Sequence, residues 1–419
     1  MEQRAAIEAC LDSIARDAAI GPVAVVAANA VLASRVGHHD AAEAWFNLAI
    51  ERVGDLESKA ALAYRSSLAL LRRGRVECIP RLERFADQGS SLSAALNATL
   101  ATAYVLADRM PDAYRRAYRA RDILAGDAEC AQRARTLYQI GYVALRAGEL
   151  TDAKTFAHEA IESARRCEDD DIAARGYSLL YELAYYIECD PRSALRYVEL
   201  AESFAAKSGD AHIRTWAIMG ALYIEMEAGN LSRARERERA LSAIDVVQSA
   251  EQTSEALVPA QALRCAWNGD FARAYRIVAE SGESQISADR RALRFAEAAL
   301  YAAAAGLTDA ARAAIESADW TLAQSPSKTK EHIVALAYLV LAAASATGVD
   351  EAARRLQSLS AMRAEVPIAM DALIAAVEAV FGSWTSAKNH DELLDAFAAL
   401  RAQYLGGISM LLEALPALA

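Results

Sequence analysis

The side chains that could do chemistry in this 419-residue chain are scattered rather than gathered. The densest carboxylate group, Glu168-Asp169-Asp170-Asp171, could grip a divalent cation or favour the start of a helix. It lacks the DDxxD spacing of all-helical prenyl-diphosphate enzymes and reads as a polar loop charging the next helix N-terminus. Histidines stand at 38, 39, 158, 212, 332 and 390 without an HExxH or His-x3-His pair, so no metal site is expected. The six cysteines form no CxxC and none adjoins a histidine, which suits small buried hydrophobes in a reducing compartment. GxSxG and GxxxxGK[ST] are both absent. The run Arg233 to Arg239 (RARERER) alternates sign, as an outer helix face laced with i,i+3 and i,i+4 ion pairs would. No catalytic residue, cofactor or metal follows, and the expectation is a chain that is not an enzyme.

Composition points to the elements that would position any site. The chain is 54% hydrophobic but only 7% aromatic, with 8 prolines, which favours long, closely packed helices over strands. A formal charge of −11 repels nucleic-acid phosphate on average, so no direct nucleic-acid contact is expected. Glu2, Glu8, Asp12 and Asp17 interrupt the N-terminus in a way that a signal peptide would not tolerate. The longest apolar run, Ile333 to Ala346, is too short to span a bilayer. The expectation is a cytoplasmic protein without a membrane partner.

A helical turn recurs nine times, centred on Gly37, Gly74, Asp108, Gly148, Cys189, Gly229, Gly269, Gly306 and Gly348, at spacings between 34 and 42 residues. Five residues after each centre stands alanine (Ala42, Ala113, Ala153, Ala194, Ala234, Ala274, Ala311, Ala353), with only Ile79 departing. Small residues also precede six turns by seven positions (Ala30, Ser67, Ala101, Gly141, Ala262, Ala299) and follow six by twelve (Ala49, Ala86, Ala120, Ala160, Ala201, Ala318). Such positions mark helices crossing too closely for a larger side chain. In the clearest unit, Leu137, Ile140, Gly141 and Ala144 share a helix face, Gly148 breaks the helix and Thr151 can cap the next.

This small-residue register resembles the tetratricopeptide (TPR) repeat over roughly residues 22–365, although the mean period is about 39 residues against ~34 for the consensus. Its length resembles the TPR region of bacterial maltose-activator and other large LuxR-type transcriptional regulators, without their nucleotide-binding and DNA-binding modules. The resemblance implies an all-α, right-handed superhelix of about ten hairpins. Residues 1–21 would form an N-terminal capping helix, 22–365 nine repeats, and 366–419 a tenth hairpin, opened by Asn389, with a C-terminal cap or a junction to a further domain. Pro111 and Pro191 suit helix starts, the latter after a capping Asp190. Pro80 implies a late or kinked helix. Pro259 implies a hinge or, more simply, a shortened helix after a loop from about Asp245 to Val258.

In TPR-like stacks the inner, concave wall is lined by the first helix of each hairpin. That register implies a binding face of Tyr64, Arg72, Arg135, Tyr138, Tyr142, Arg146, Tyr186, Trp216, Met219, Tyr223 and Trp267. Arginine and aromatic residues dominate binding hot spots, though several of these tyrosines could equally fill interhelical core. The function expected is a non-catalytic interaction module whose groove accepts a peptide or protein partner in a regulatory or signalling role. The alternative is a small-ligand sensor of a transcriptional regulator. An all-α enzyme comes third, and buried carboxylates facing one another in the groove would revive it.

Overall fold

The computed structural model describes residues 26, 28–30, 39–71, 75–124, 130–244, 250–280, 288–324, 329–385 and 390–416. No strand occurs among them. The N-terminal helix expected over 1–21, the turn centres Gly37 and Gly74, Arg72 and the capping Asn389 lie outside the described residues. The chain divides into two compact units, Met1–Leu179 and Leu180–Ala419.

Unit 1 holds α1 (His39–Arg52), α2 (Leu56–Leu71), α3 (Ile79–Ala86), α4 (Ser93–Leu106), α5 (Met110–Leu124), α6 (Cys130–Arg146), α7 (Leu150–Arg166) and most of α8 (Asp170–Glu182). Unit 2 continues with a π-helical turn (Leu183–Ile187), then α9 (Pro191–Ser208), α10 (Ala211–Glu227), α11 (Leu231–Ser242), α12 (Ala250–Trp267), α13 (Phe271–Glu280) and α14 (Ala288–Ala304). It closes with α15 (Thr308–Leu322), α16 (Lys330–Ala346), α17 (Val349–Ser360), α18 (Ile368–Thr385), α19 (His390–Ala402) and α20 (Gly406–Ala414). Hairpin partners pack on one another, α6 on α7 and α14 on α15, and first helices stack on first helices, α4 on α6 and α14 on α16. This is an all-α array of TPR-like hairpins.

The turns work through one hydrogen-bond pattern. Gly148 N–H donates to the Leu145 carbonyl and Glu149 N–H reaches back to Ala144 at 2.9 Å, satisfying carbonyls that the helix end leaves open. The pattern repeats at Gly229, Gly269 and Gly306. It needs a left-handed residue, and φ is positive at every described turn centre, including the non-glycines Asp108 (56°) and Cys189 (51°). With the backbone satisfied there, Thr151 is not needed as a cap: α7 starts at Leu150, and Thr151 sits inside its first turn.

The close-crossing alanines are buried as expected, with Ala113, Ala153, Ala194, Ala274 and Ala311 fully enclosed. Gly141 shows why no larger residue fits, since a Cβ there would stand 3.0 Å from Leu179 Cδ2 and 3.2 Å from Phe156 Cβ. Ala353 is the exception: it is exposed and Ala352 takes the buried place. Gly348 N–H itself makes the long bond to Ala343, the role of Glu149 rather than Gly148, so this turn is one residue shorter and the register slips by one. We expect Ala274→Leu to cost about 1–3 kcal/mol in urea unfolding, by overpacking a filled crossing. Ala353→Leu should stay within ~0.5 kcal/mol. Equal effects would sink the close-crossing account.

The prolines divide. Pro80 lies in the first turn of the short α3, and Pro191 opens α9 with Asp190 Oδ1 accepting from Arg192 N and Ser193 N at 3.1 Å. Pro259, however, sits inside α12, which starts by Ala250; the loop expected as far as Val258 is replaced by helix. The RARERER run is tied between helices: Arg237 pairs with Glu199 and Glu202 of α9, and Glu238 with Arg264 of α12. Among the described residues one helix, Ile368–Thr385, is long and apolar enough to cross a membrane, and half of it is buried inside the protein.

Candidate functional site

The site in unit 2 begins with a backbone irregularity. Glu188 N–H bonds to Leu183 O at 2.9 Å and Asp190 N–H to Ala184 O at 2.8 Å, so the chain makes a π turn over Leu183–Ile187. Tyr185 and Tyr186, both on this turn, line one cavity. Their rings meet edge to face, with centroids 4.8 Å apart. Tyr181 stacks on Tyr185 from behind, and Gly220 of α10 makes room for it: a Cβ there would approach Tyr181 Cζ to 2.8 Å.

The cavity encloses about 100 Å³, and its wall comes from α10, α12, α14, α16 and α20 as well as from the π turn. Tyr223 and Glu227 face in from α10, Arg290, Arg294 and Glu297 from α14, and Lys330, Glu331 and Tyr338 from α16. On α10 and α14 these positions recur at three- or four-residue steps, as do Glu331, Val334 and Tyr338 on α16, so each set forms one stripe, with Lys330 beside it at the start of α16. The start of α16 is pinned to the start of α14. Thr329 Oγ1 donates to Asp289 Oδ2 at 2.7 Å and accepts from His332 N, while Arg290 Nε bonds Glu331 Oε1 at 3.0 Å. Arg290 Nη2 also donates to the Tyr186 hydroxyl at 2.7 Å. Lys330, only 5% exposed, pairs its ammonium with Glu227 and holds it 3.7 Å from the Tyr185 ring centroid.

Burial controls the protonation of this wall. It lifts the Tyr223 hydroxyl to about 12 and raises Tyr185, Tyr186 and Tyr338 as well, so all four are neutral at physiological pH. Burial also raises the Glu331 carboxyl, against the pull of Arg290. Glu297 rises to about 7, again through burial, with Arg294 opposing. Three carboxylates thus share the cavity, the arrangement that would revive an enzyme. Glu227 and Glu331 are held in ion pairs, however, which leaves Glu297 without a second free carboxylate for acid–base work.

The eleven residues of the expected binding face are dispersed. Tyr186 and Tyr223 line the cavity. Met219 and Trp267 pack against a small core cluster around Ile218, Leu222 and Met226, and the Trp267 indole donates to Gly407 O at 2.8 Å. Trp216 is half-buried on α10. In unit 1, Tyr64 and Tyr138 pack against the core, Arg135 is bound to Asp171 at 3.3 Å, and Arg146 is exposed with its guanidinium 5.0 Å from the Tyr142 ring centroid. Asp171 also pairs with Arg175, and Asp169 caps α8; no metal-holding group of His, Cys, Asp and Glu occurs among the described residues. A second, open cleft of about 350 Å³ in unit 1 is lined by Tyr104, Asp112, Arg115, Arg116 and Arg119, where Arg115 pairs with Asp112 and Arg116 and Arg119 share Asp87.

Sequence reasoning missed Glu227, Arg290, Arg294, Glu297, Lys330 and Glu331. The signal was present as polar stripes on first helices (Arg290, Arg294, Glu297; Glu331, Tyr338), where a purely structural repeat would place apolar residues.

Fold and site together define a helical-repeat protein of TPR-like type with a polar, tyrosine-lined cavity. No family model and no curated protein matches the chain. Among solved structures it is similar to the apo form of the quorum sensor NprR from B. thuringiensis, at 13% identity and a TM-score of 0.51, over 86% of this chain and 97% of that one. A Rap protein complexed with competence and sporulation factor aligns at 13% identity and a TM-score of 0.48, over 91% and 99% of the two chains. The apo form of RapI aligns at 11% identity and a TM-score of 0.40, over 91% and 97%.

Proposed function

We propose that this chain is a non-catalytic, TPR-type regulatory adaptor that binds a peptide or a partner segment, with Tyr186, Tyr223 and the charged wall of the unit 2 cavity as the contact. The observation carrying this reading is the cavity wall itself. Its buried ions and neutral tyrosine hydroxyls contribute little that an apolar core would not supply, whereas desolvated polar groups suit specific recognition. A sensing role agrees with the quorum sensor of similar fold. With the resemblance to maltose-activator-type regulators, the module would act in the cytoplasm and pass occupancy of the site to transcription machinery. A second reading, a small-ligand sensor, is favoured by the volume of about 100 Å³, which suits one side chain or a small molecule better than a length of peptide.

Panning displayed linear decapeptides against the full chain tests the reading. Enriched peptides should bind Tyr223→Ala about tenfold more weakly at a temperature where the variant keeps its helical content. Peptides that bind Tyr223→Ala as well as the parent, but fail on Arg146→Glu combined with Tyr142→Ala, would move the contact to unit 1.

A further inference from the structure

We infer that the unit 2 cavity takes an ammonium group, with the Glu297 carboxylate as its counter-ion and the rings of Tyr223 and Tyr338 beside it. This deepens the proposed function and rests on that cavity being the binding site. Three observations lead to it. The wall already holds one ammonium, that of Lys330, against the Tyr185 ring and Glu227, the combination of aromatic face and carboxylate that binds desolvated cations. Lys330 and Arg290 have their own carboxylates, Glu227 and Glu331, and the remaining cation of the wall is Arg294, one turn before Glu297 on α14, with which an incoming ammonium would share the Glu297 carboxylate. Glu297 lines the same cavity and makes no ion pair or side-chain hydrogen bond with any described residue.

Glu297 is half-buried and no hydrogen bond from a described residue holds its carboxylate, and a ligand ammonium would supply one. The volume of about 100 Å³ accepts an aminoalkyl group or a chain terminus, not a folded surface.

Capture should be linked to proton release. Glu297 titrates at about 7, raised by burial, lowered by Arg294 on its own helix, and raised by Glu227 of α10 and Glu331 of α16. The other titratable groups coupled to it, Tyr301 and Tyr338, stay neutral because burial lifts them well above the ordinary tyrosine value. The neutral carboxyl of Glu297 gives its proton to solvent as the ammonium docks, and the ion pair forms. Affinity should therefore rise with pH through about 7 and level off above about 8, where the carboxyl is already ionised.

The full chain is titrated by calorimetry and ligand-observed NMR with three probes: Nα-acetyl-lysine amide, its Nε-acetylated form, and glycylglycine amide. We expect an amine probe to bind at pH 8, about tenfold more weakly at pH 5.5, and with the pH dependence gone in the near-isosteric Glu297→Gln, which should also bind it about tenfold more weakly at pH 8. Preference for the lysine amide assigns the ammonium to a side chain; preference for glycylglycine amide assigns it to a chain terminus. Binding of the Nε-acetylated form as tight as that of the better free amine, unchanged binding by Glu297→Gln, or no binding of either amine would overturn the inference. Displayed peptides that need Tyr223 yet ignore Glu297→Gln would leave the cavity as the site and reject only its ammonium; peptides indifferent to both would reject the site itself.

Discussion

Gly407→Ala is expected to release the C-terminal helix and to cost about 3 kcal/mol, among the largest effects of any single methyl group in this chain. Gly407 lies in the first turn of α20, where its bare Cα rests on the backbone that ends α10. A Cβ would overlap the Met226 carbonyl oxygen and stand 2.9 Å from Trp267 Cζ2 and 3.1 Å from Glu227 O. Those are a helix end and an indole held by its own hydrogen bond to Gly407 O, so neither can step aside cheaply. The helix must move instead, and with it Ile408, Leu411 and Leu412, all buried. Urea unfolding gives the loss, and hydrogen exchange over residues 406–414 should rise to that of an undocked segment. Gly382→Ala is the control: it lies inside α18 with nothing within 4 Å of a Cβ, and should stabilise by about 0.5–1 kcal/mol through helix propensity alone. If both substitutions act alike, the docking of α20 does not depend on the glycine.

Lys330→Ala should cost about 3–5 kcal/mol, because it leaves Glu227 without its cation in a low-dielectric wall and removes the side chain that covers Tyr185. Lys330→Met with Glu227→Gln should recover most of that loss, since two neutral groups of similar shape avoid the desolvation of either charge. A double-mutant cycle by chemical denaturation measures the coupling. A cost below about 1 kcal/mol for Lys330→Ala would mean that the pair behaves as a solvated surface bridge and that the cavity wall is wetter than its burial implies.

The repeat was legible because packing constraints are local and recur. A left-handed turn and an alanine five residues on answer to one hairpin each, so Gly148 with Ala153, or Gly269 with Ala274, can be recognised without knowing what lies elsewhere. The same logic failed at Gly348, where a turn shorter by one residue moved the buried place from Ala353 to Ala352. It failed at Pro259 too, where a helix interior accommodates a residue that propensity excludes. Tertiary packing can override a cost of about 3 kcal/mol when the rest of a long helix is anchored.

The binding face was legible only in part. Carrying the repeat register inward picked out Tyr186 and Tyr223, which line the unit 2 cavity, but it ranked aromatic and arginine side chains by type. It therefore also gathered Tyr64 and Tyr138, which pack against core, and Arg135, which serves an ion pair with Asp171. By itself the sequence determined the helical class, the hairpin grammar and the absence of any compact catalytic or metal motif, because each is written in spacings shorter than one repeat. Only the tertiary structure decided which charges meet. Lys330 finds Glu227 across 103 positions, Arg290 finds Tyr186 across 104, and Trp267 finds Gly407 across 140. Stacking brings such distant side chains together, and whether a carboxylate is paired, like Glu227, or left alone, like Glu297, depends on the neighbours that stacking supplies rather than on its own segment.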